Sequence, residues 1–303
     1  MLTRDLDAFL ALARNVAPDF GPATAKAAFL VSPDGFALAG ESAIDNRYMA
    51  RAGAFDPARA LAQHRGLQQA LSRVLPTICF AGDPDTPDAV FPNNVFATAP
   101  GRYLVGRMRH EVRRREARRA DIRGFFRDLL GYREIDLSTQ PHPCELTGAL
   151  VVDRARGLGF CGLSERCDEA GARLLHEALG LRATLAFELA PGEYHANVVL
   201  AVLAGRALVA APAGFADPRV VPALASLYAP HVLELSAGEQ AAFAGNAIAL
   251  PGDTVWMSAG AAAALSEANR ATLAGAGFAL ETVPLDAIEA AGGSLRCCVG
   301  ELF

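Results

Sequence analysis

The chain has 303 residues, 52% hydrophobic and 20% charged, with a formal net charge of −5. That is a globular composition with enough length for a sizeable apolar core, and it excludes a disordered chain and a non-specific nucleic-acid binder. No apolar stretch reaches the roughly 18 residues of a membrane span, and the opening Met1–Asp7 does not start a secretory signal.

Neither a membrane nor a nucleic-acid partner is therefore expected. The six cysteines, Cys79, Cys144, Cys161, Cys167, Cys297 and Cys298, are scattered rather than paired at zinc-finger spacing. This pattern predicts free thiols, a reducing cytoplasmic location and no bound metal.

In chain order, apolar periodicity predicts a helix over 2–16, broken by Pro18, Gly21 and Pro22. Ala27–Val31 reads as a buried strand ending at Pro33-Asp34-Gly35. Asp56-Pro57 opens a helix to about Leu75, with proline where a missing N–H costs nothing. Short strands follow at Thr77–Phe80, Ala89–Phe91, Val95–Thr98 and Tyr103–Gly106, then an arginine-rich helix over Glu111–Leu130.

Strands at Glu134–Leu137, Ala149–Val152 and Gly159–Cys161 lead to a helix over Ser164–Leu179. Thr184–Glu188, Asn197–Leu203 and Ala207–Ala211 read as strands, and a helix follows Asp217-Pro218. The last third repeats the rhythm, with strands at Val232–Leu235, Ala247–Leu250 and Thr254–Met257. A helix over Ser258–Ala274 and strands at Phe278–Val283 and Cys298–Leu302 complete it.

Short strands alternate with helices without a long parallel run. There is no G-x-G-x-x-G after an early strand and no P-loop, which disfavours dinucleotide and nucleotide folds. The expectation is one α/β domain over 1–303, with residues 1–24 as a helical extension.

The chemistry begins near the C-terminus. Gly292-Gly293-Ser294-Leu295-Arg296-Cys297-Cys298 reads as a glycine-rich turn running into the final strand, with Arg296 placed to favour a thiolate. Strand alternation would send Cys297 and Cys298 to opposite faces, so only one could meet a substrate.

A thiol nucleophile needs a proton partner. His64 and His176 fit ordinary helix surfaces, whereas His195 in Gly192–Asn197 stands at the mouth of an apolar strand. Glu145 and Asp88 flank short apolar strands, and either could equally be a cap or turn residue. Asn93 and Asn94, after Pro92, could make a turn or present amide dipoles to a polar, neutral ligand.

Together these pieces resemble the guanidino-group-modifying (pentein) superfamily: arginine deiminases, dimethylarginine dimethylaminohydrolases, amidinotransferases and succinylarginine dihydrolases. The motif order matches in Phe91–Asn94, Arg107–Arg119, Glu145–Gly148, Tyr194–Val198 and Gly292–Cys297. Phe243-Ala244-Gly245-Asn246 and Gly293–Cys297 bring the chain nearest to the citrulline-utilisation hydrolases.

The resemblance implies a five-bladed α/β propeller with a central active site and no cofactor. It implies that Cys297 attacks the central carbon of a guanidino or ureido group. His195 then protonates the departing nitrogen and activates water, while Glu145 hydrogen-bonds His195 or a substrate nitrogen. Asp88, Asn93, Asn94 and Arg114 are expected to bind the substrate, Arg114 through a carboxylate, with Arg107, Arg109 and Arg113 as alternatives.

Deiminases carry aspartate where Asn94 stands. A neutral carboxamide suits a neutral ureido group, which points to a citrulline-like amino acid. Alternatives are a deiminase or dimethylamine-releasing enzyme, an amidinotransferase, or a catalytically inactive binding protein. Self-association into a homo-oligomer is left open.

Overall fold

The computed structural model describes residues 1–49 and 55–303. Five small sheets share one plan: an antiparallel pair, then a third strand laid parallel to the second. The first unit is Phe96–Ala99, Arg102–Val105 and Arg133–Asp136. The second is Leu150–Asp153, Leu158–Leu163 and Ala183–Glu188. Leu200–Leu203, Ala207–Ala210 and Val232–Glu234 form the third, and Ile248–Leu250, Thr254–Ser258 and Ala279–Val283 the fourth.

The fifth unit joins the two ends of the chain. Gly300–Leu302 pairs antiparallel with Ala27–Val31, which runs parallel to Thr77–Phe80. Each unit's first strand or its leading turn packs against the next unit, and the last unit packs back onto the first. The result is a closed five-bladed α/β propeller, the fold class that the resemblance implies. Closure removes free edges round the axis and makes the C-terminal strand part of the ring.

Local chemistry explains most boundaries. Asp56 accepts from the Arg59 N–H and Pro57 occupies the first turn of the helix Pro57–Leu71. Gly180, left-handed at φ 64°, ends the helix Glu169–Leu179. Leu2–Thr3 pairs parallel with Thr184–Leu185, and Asp5 caps the helix Leu6–Ala13, whose Phe9 is fully buried.

Four expectations are corrected. Residues 2–16 divide into that strand and helix. Ala89–Phe91 is not a strand but the approach to a 3-10 turn at Pro92–Asn94. Glu111–Leu130 is not one helix: two short turns, Glu111–Arg114 and Glu116–Arg118, are separated from a helical segment over 120–129 by Arg119, which is extended at ψ 95°. Ser258–Ala274 is two helices, since Ser266 caps a second one, Glu267–Gly275.

His64 is also corrected. It is not on the helix surface but in the core, 1% exposed, with Nε2 unpartnered among the described residues. Burial, opposed only by Asp34, lowers its pKa to about 4. Between about pH 6.5 and 4 the unfolded chain binds a proton that the folded chain refuses. Stability should therefore fall as pH drops through that window, by about 3 kcal/mol from this group. Urea midpoints measured for wild type and His64→Leu check this; equal slopes against pH would contradict it.

Candidate functional site

One polar side chain per blade arrives at the same end of the axis. Asn94 closes the turn Pro92–Asn94 before the strand Phe96–Ala99. Glu145 precedes the helical turn Leu146–Ala149, and His195 precedes Ala196–Val199. Asn246 lies just ahead of Ile248–Leu250, and Cys297 sits in the turn Leu295–Cys298 ahead of Gly300–Leu302. The sequence separations of 50 for Glu145–His195 and 51 for Asn246–Cys297 are one blade length.

Cys297 is therefore on a helical turn, not a strand, and the alternation argument does not apply. Both it and Cys298 are buried, but Cys297 lines a narrow cavity with Asp88, Asn94, Arg113, Arg166 and Tyr194. Arg296 is turned away, paired with Glu301 at 2.8 Å. Asn246 Nδ2 donates to the Cys297 sulfur at 3.2 Å, and the thiol faces Asn197 Oδ1 at 3.8 Å. Burial pushes the thiol pKa up, only partly opposed by Asn246, the Ser294 backbone and Arg296. The resting sulfur is a thiol at neutral pH.

His195 Nε2 lies 2.8 Å from Glu145 Oε2, with both side chains fully buried. Glu145 also accepts from the Arg109 backbone N–H at 2.9 Å and from Arg166 Nη1 at 3.3 Å. Burial raises the Glu145 carboxyl, but Arg166, His195 and Arg113 together hold it well below the usual carboxylate range. An ionised Glu145 can only accept, so neutral His195 carries its proton on Nε2 and leaves Nδ1 as a base. Burial lowers the imidazole pKa further than Glu145 raises it, keeping the ring neutral at pH 7.

The buried atoms without partners among the described residues include His195 Nδ1 and Asn94 Oδ1. These two converge on Gly148, where an added Cβ would stand 2.9 Å from the first and 2.5 Å from the second. Gly293 is equally constrained, since a Cβ there would meet the Phe91 ring at 2.8 Å. The absence of side chains at these two positions holds the centre open.

The expected binding residues divide. Asp88 lines the cavity, accepts from Ser42 Oγ at 2.5 Å, and has its pKa raised by burial against the pull of Arg113. Asn94 lines it too. Asn93 is buried beside it, its carbonyl accepting from Thr147 Oγ1 at 3.0 Å, but it is not in the lining.

Arg114 is not brought to the cavity. Its guanidinium is spent on the Met108 and Arg109 carbonyls and on Glu111 at 2.8 Å. Arg107 binds the Ser138 carbonyl and Arg109 pairs with Glu165. Arg113 does reach the lining, although it pairs with Glu116 at 2.8 Å and donates to the Asp88 and Phe91 carbonyls.

Sequence reasoning missed Arg166, which lines the cavity and contacts Asp45, Glu145 and the Ser42 carbonyl. Nothing in Ser164-Glu165-Arg166-Cys167 marks it. Asn246 was also passed over as a site residue, although its 51-residue distance from Cys297 repeats the blade length and would have revealed it. Among the described residues, no group of three His, Cys, Asp or Glu could hold a metal ion.

A family model for N,N dimethylarginine dimethylhydrolase, eukaryotic, matches residues 32–303. A search of curated proteins returned no match. Among solved structures, the chain is similar to the substrate-bound N-terminal domain of ArgZ, an arginine dihydrolase from the ornithine–ammonia cycle in cyanobacteria. The TM-score is 0.79 at 20% identity, over 91% of this chain and 97% of that one.

Unliganded AgrE gives a TM-score of 0.78 at 22% identity, over 92% of this chain and 40% of the other. A dimethylarginine dimethylaminohydrolase adduct with S-methyl-L-thiocitrulline gives 0.72 at 21% identity, over 92% and 100%. At such identities these likenesses speak for the fold, and the family model carries the assignment. The chain belongs to the N,N dimethylarginine dimethylhydrolase family of the guanidino-group-modifying (pentein) superfamily, and is a hydrolase of non-peptide carbon–nitrogen bonds.

Proposed function

We propose that this enzyme cleaves a carbon–nitrogen bond in the ureido or guanidino group of an amino acid through a covalent thio-intermediate. Cys297 is the nucleophile, His195 the acid and base, and Glu145 the residue that positions the imidazole. The observation that carries this reading is the meeting of His195 Nδ1 and Asn94 Oδ1, both unpartnered, at Gly148, with Asn94 lining the Cys297 cavity.

The chemistry follows from the protonation states. Nδ1 takes the thiol proton as the sulfur attacks the central carbon, and the imidazolium is stabilised by ionised Glu145. The proton then passes to the departing nitrogen, which leaves as ammonia or an amine. In the second half, Nδ1 accepts a proton from water, whose oxygen attacks the carbon. The carbon–sulfur bond breaks and the sulfur recovers its proton.

Asn94 supports a neutral ureido substrate, because its Oδ1 can accept from a ureido N–H without needing a cation. A guanidinium substrate is the second reading, favoured by the buried carboxylate of Asp88 in the same cavity. For the far end of the substrate, Arg166 replaces Arg114 as the cation that faces the cavity. A substrate carboxylate there would compete with Asp45, which holds Arg166 Nε at 2.9 Å.

Four measurements test the proposal. Steady-state kinetics should give a higher kcat/KM for citrulline than for arginine, methylarginine or agmatine. The reverse order would sink the ureido preference while leaving the cysteine chemistry intact. Cys297→Ser should bind the same ligand and lose turnover; if wild type turns over no ureido or guanidino compound, the inactive-binder reading gains.

Gly148→Ala should fold yet lose about 100-fold or more in kcat, since a methyl group would push His195 and Asn94 out of line; retained kcat would contradict the geometry. Iodoacetamide modification of Cys297 should accelerate through pH 9 and beyond, because the free-enzyme thiol pKa lies above its usual 9.0. A plateau below pH 8 would show a thiolate already formed at rest.

A further inference from the structure

A second cavity occupies the same axis beyond the site. It is small, about 50 Å³, and is lined by Leu150–Val152, Leu200–Val202 and Ala247–Ala249, in and beside the first strands of three blades. The catalytic cavity is lined by residues that precede such strands, Asn94 and Cys297 among them, so the two cavities open at opposite ends of the axis. Between them lies a layer of carboxamides. Asn197 Nδ2 donates to the Thr147 carbonyl at 3.1 Å, and Asn246 Nδ2 donates to the Asn197 carbonyl at 2.8 Å.

Two arginines enter this second cavity, Arg154 and Arg296. Arg296 is neutralised by Glu301 at 2.8 Å and donates to the Val299 carbonyl. Arg154 is not neutralised in this way. Its face stacks on the Phe303 ring, 4.3 Å from the centroid, and its Nη1 donates to the Thr98 carbonyl at 3.1 Å. Among the described residues no carboxylate lies within ion-pair distance of it.

The surrounding walls are mostly Leu, Val, Ile and Ala, with Thr147 and Asn197 as uncharged polar groups and Glu301, held by Arg296, as a carboxylate in the same lining. A half-buried guanidinium in such walls is only partly hydrated, and an anion would balance its charge. Burial lowers its pKa to about 10, opposed by the charge of Glu301 and aided by Arg296 and Arg102.

We propose that this cavity is a binding site for a small oxyanion, such as phosphate, sulfate or bicarbonate, held by the fork of Arg154. The fork presents parallel N–H groups that match an oxyanion's geometry. Thr147 and Asn197 offer side-chain polar groups at its inner end. The site is separate from the Cys297 cavity, so the proposal does not rest on the catalytic reading.

The test is thermal unfolding of the whole chain at constant ionic strength, with chloride exchanged for phosphate, sulfate or bicarbonate. Wild type should show a saturable rise of about 2 °C or more with at least one of these oxyanions. Cys297→Ser should keep that rise, because the anion does not sit in the catalytic cavity. Arg154→Met should lose it, and Arg154→Lys, which keeps the charge but not the fork, should show a weaker response.

A rise of the same size in Arg154→Met would overturn the assignment. So would the absence of any oxyanion response in wild type, which remains decisive even if the Met variant does not fold. Calorimetric titration of wild type with phosphate or sulfate, whichever gives the rise, should detect one site per chain, and loss of the rise in Cys297→Ser would relocate the anion to the catalytic end.

Discussion

The buried ion pair between Glu145 and Arg166 governs the catalytic end of this molecule. A carboxylate with no solvent contact is costly unless charges and donors surround it. Here Arg166, the Arg109 backbone N–H and His195 Nε2 share that task. One consequence is chemical: an ionised Glu145 dictates which nitrogen of His195 bears the proton, and so which nitrogen is free to act. Another is structural, since Arg166 also ties Asp45 and the Ser42 carbonyl to this centre and thereby holds the segment that covers the cavity.

The propeller supplies the geometry for this network. A chain that repeats strand, strand, helix and strand five times, and pairs its last strand with its first long one, brings five equivalent positions to one end of an axis. Each position lies on a short turn just before an inner strand. The turn is rigid because its strand is built into a sheet, which suits side chains that must hold a reacting group in place. Asn94, Glu145, His195, Asn246 and Cys297 occupy these positions, so a carboxamide, an acid, an imidazole and a thiol meet from segments far apart in the chain.

The thiol, unlike the carboxylate, is left neutral. Asn246 offers its sulfur one N–H, and Arg296, the adjacent cation in sequence, spends its charge on Glu301 at the other end of the axis. Under the proposed function, this arrangement leaves the proton transfer to His195. The same division leaves Arg154 and Arg296 together in the second cavity, where their charge exceeds that of the carboxylate between the strands.

Much of this was legible in the sequence. Alternating short strands and helices, the proline and aspartate at the start of Pro57–Leu71, and Ala27–Val31 as a buried strand all follow from local propensity and pattern. The order of the motifs around Asn94, Glu145, His195 and Cys297 pointed to the superfamily. Local pattern did not reveal that Glu111–Leu130 breaks at Arg119, where the backbone is extended. Nor did it reveal His64 in the core, or Arg114 facing out while Arg166 faces in. Whether a given arginine reaches a cavity depends on which partners the folded chain places beside it, and those partners lie up to 124 residues away. Local residue pattern alone therefore determined the kinds of element and the chemical groups available; the tertiary closure of five blades decided which of those groups meet, because only the ring brings distant turns to one axis.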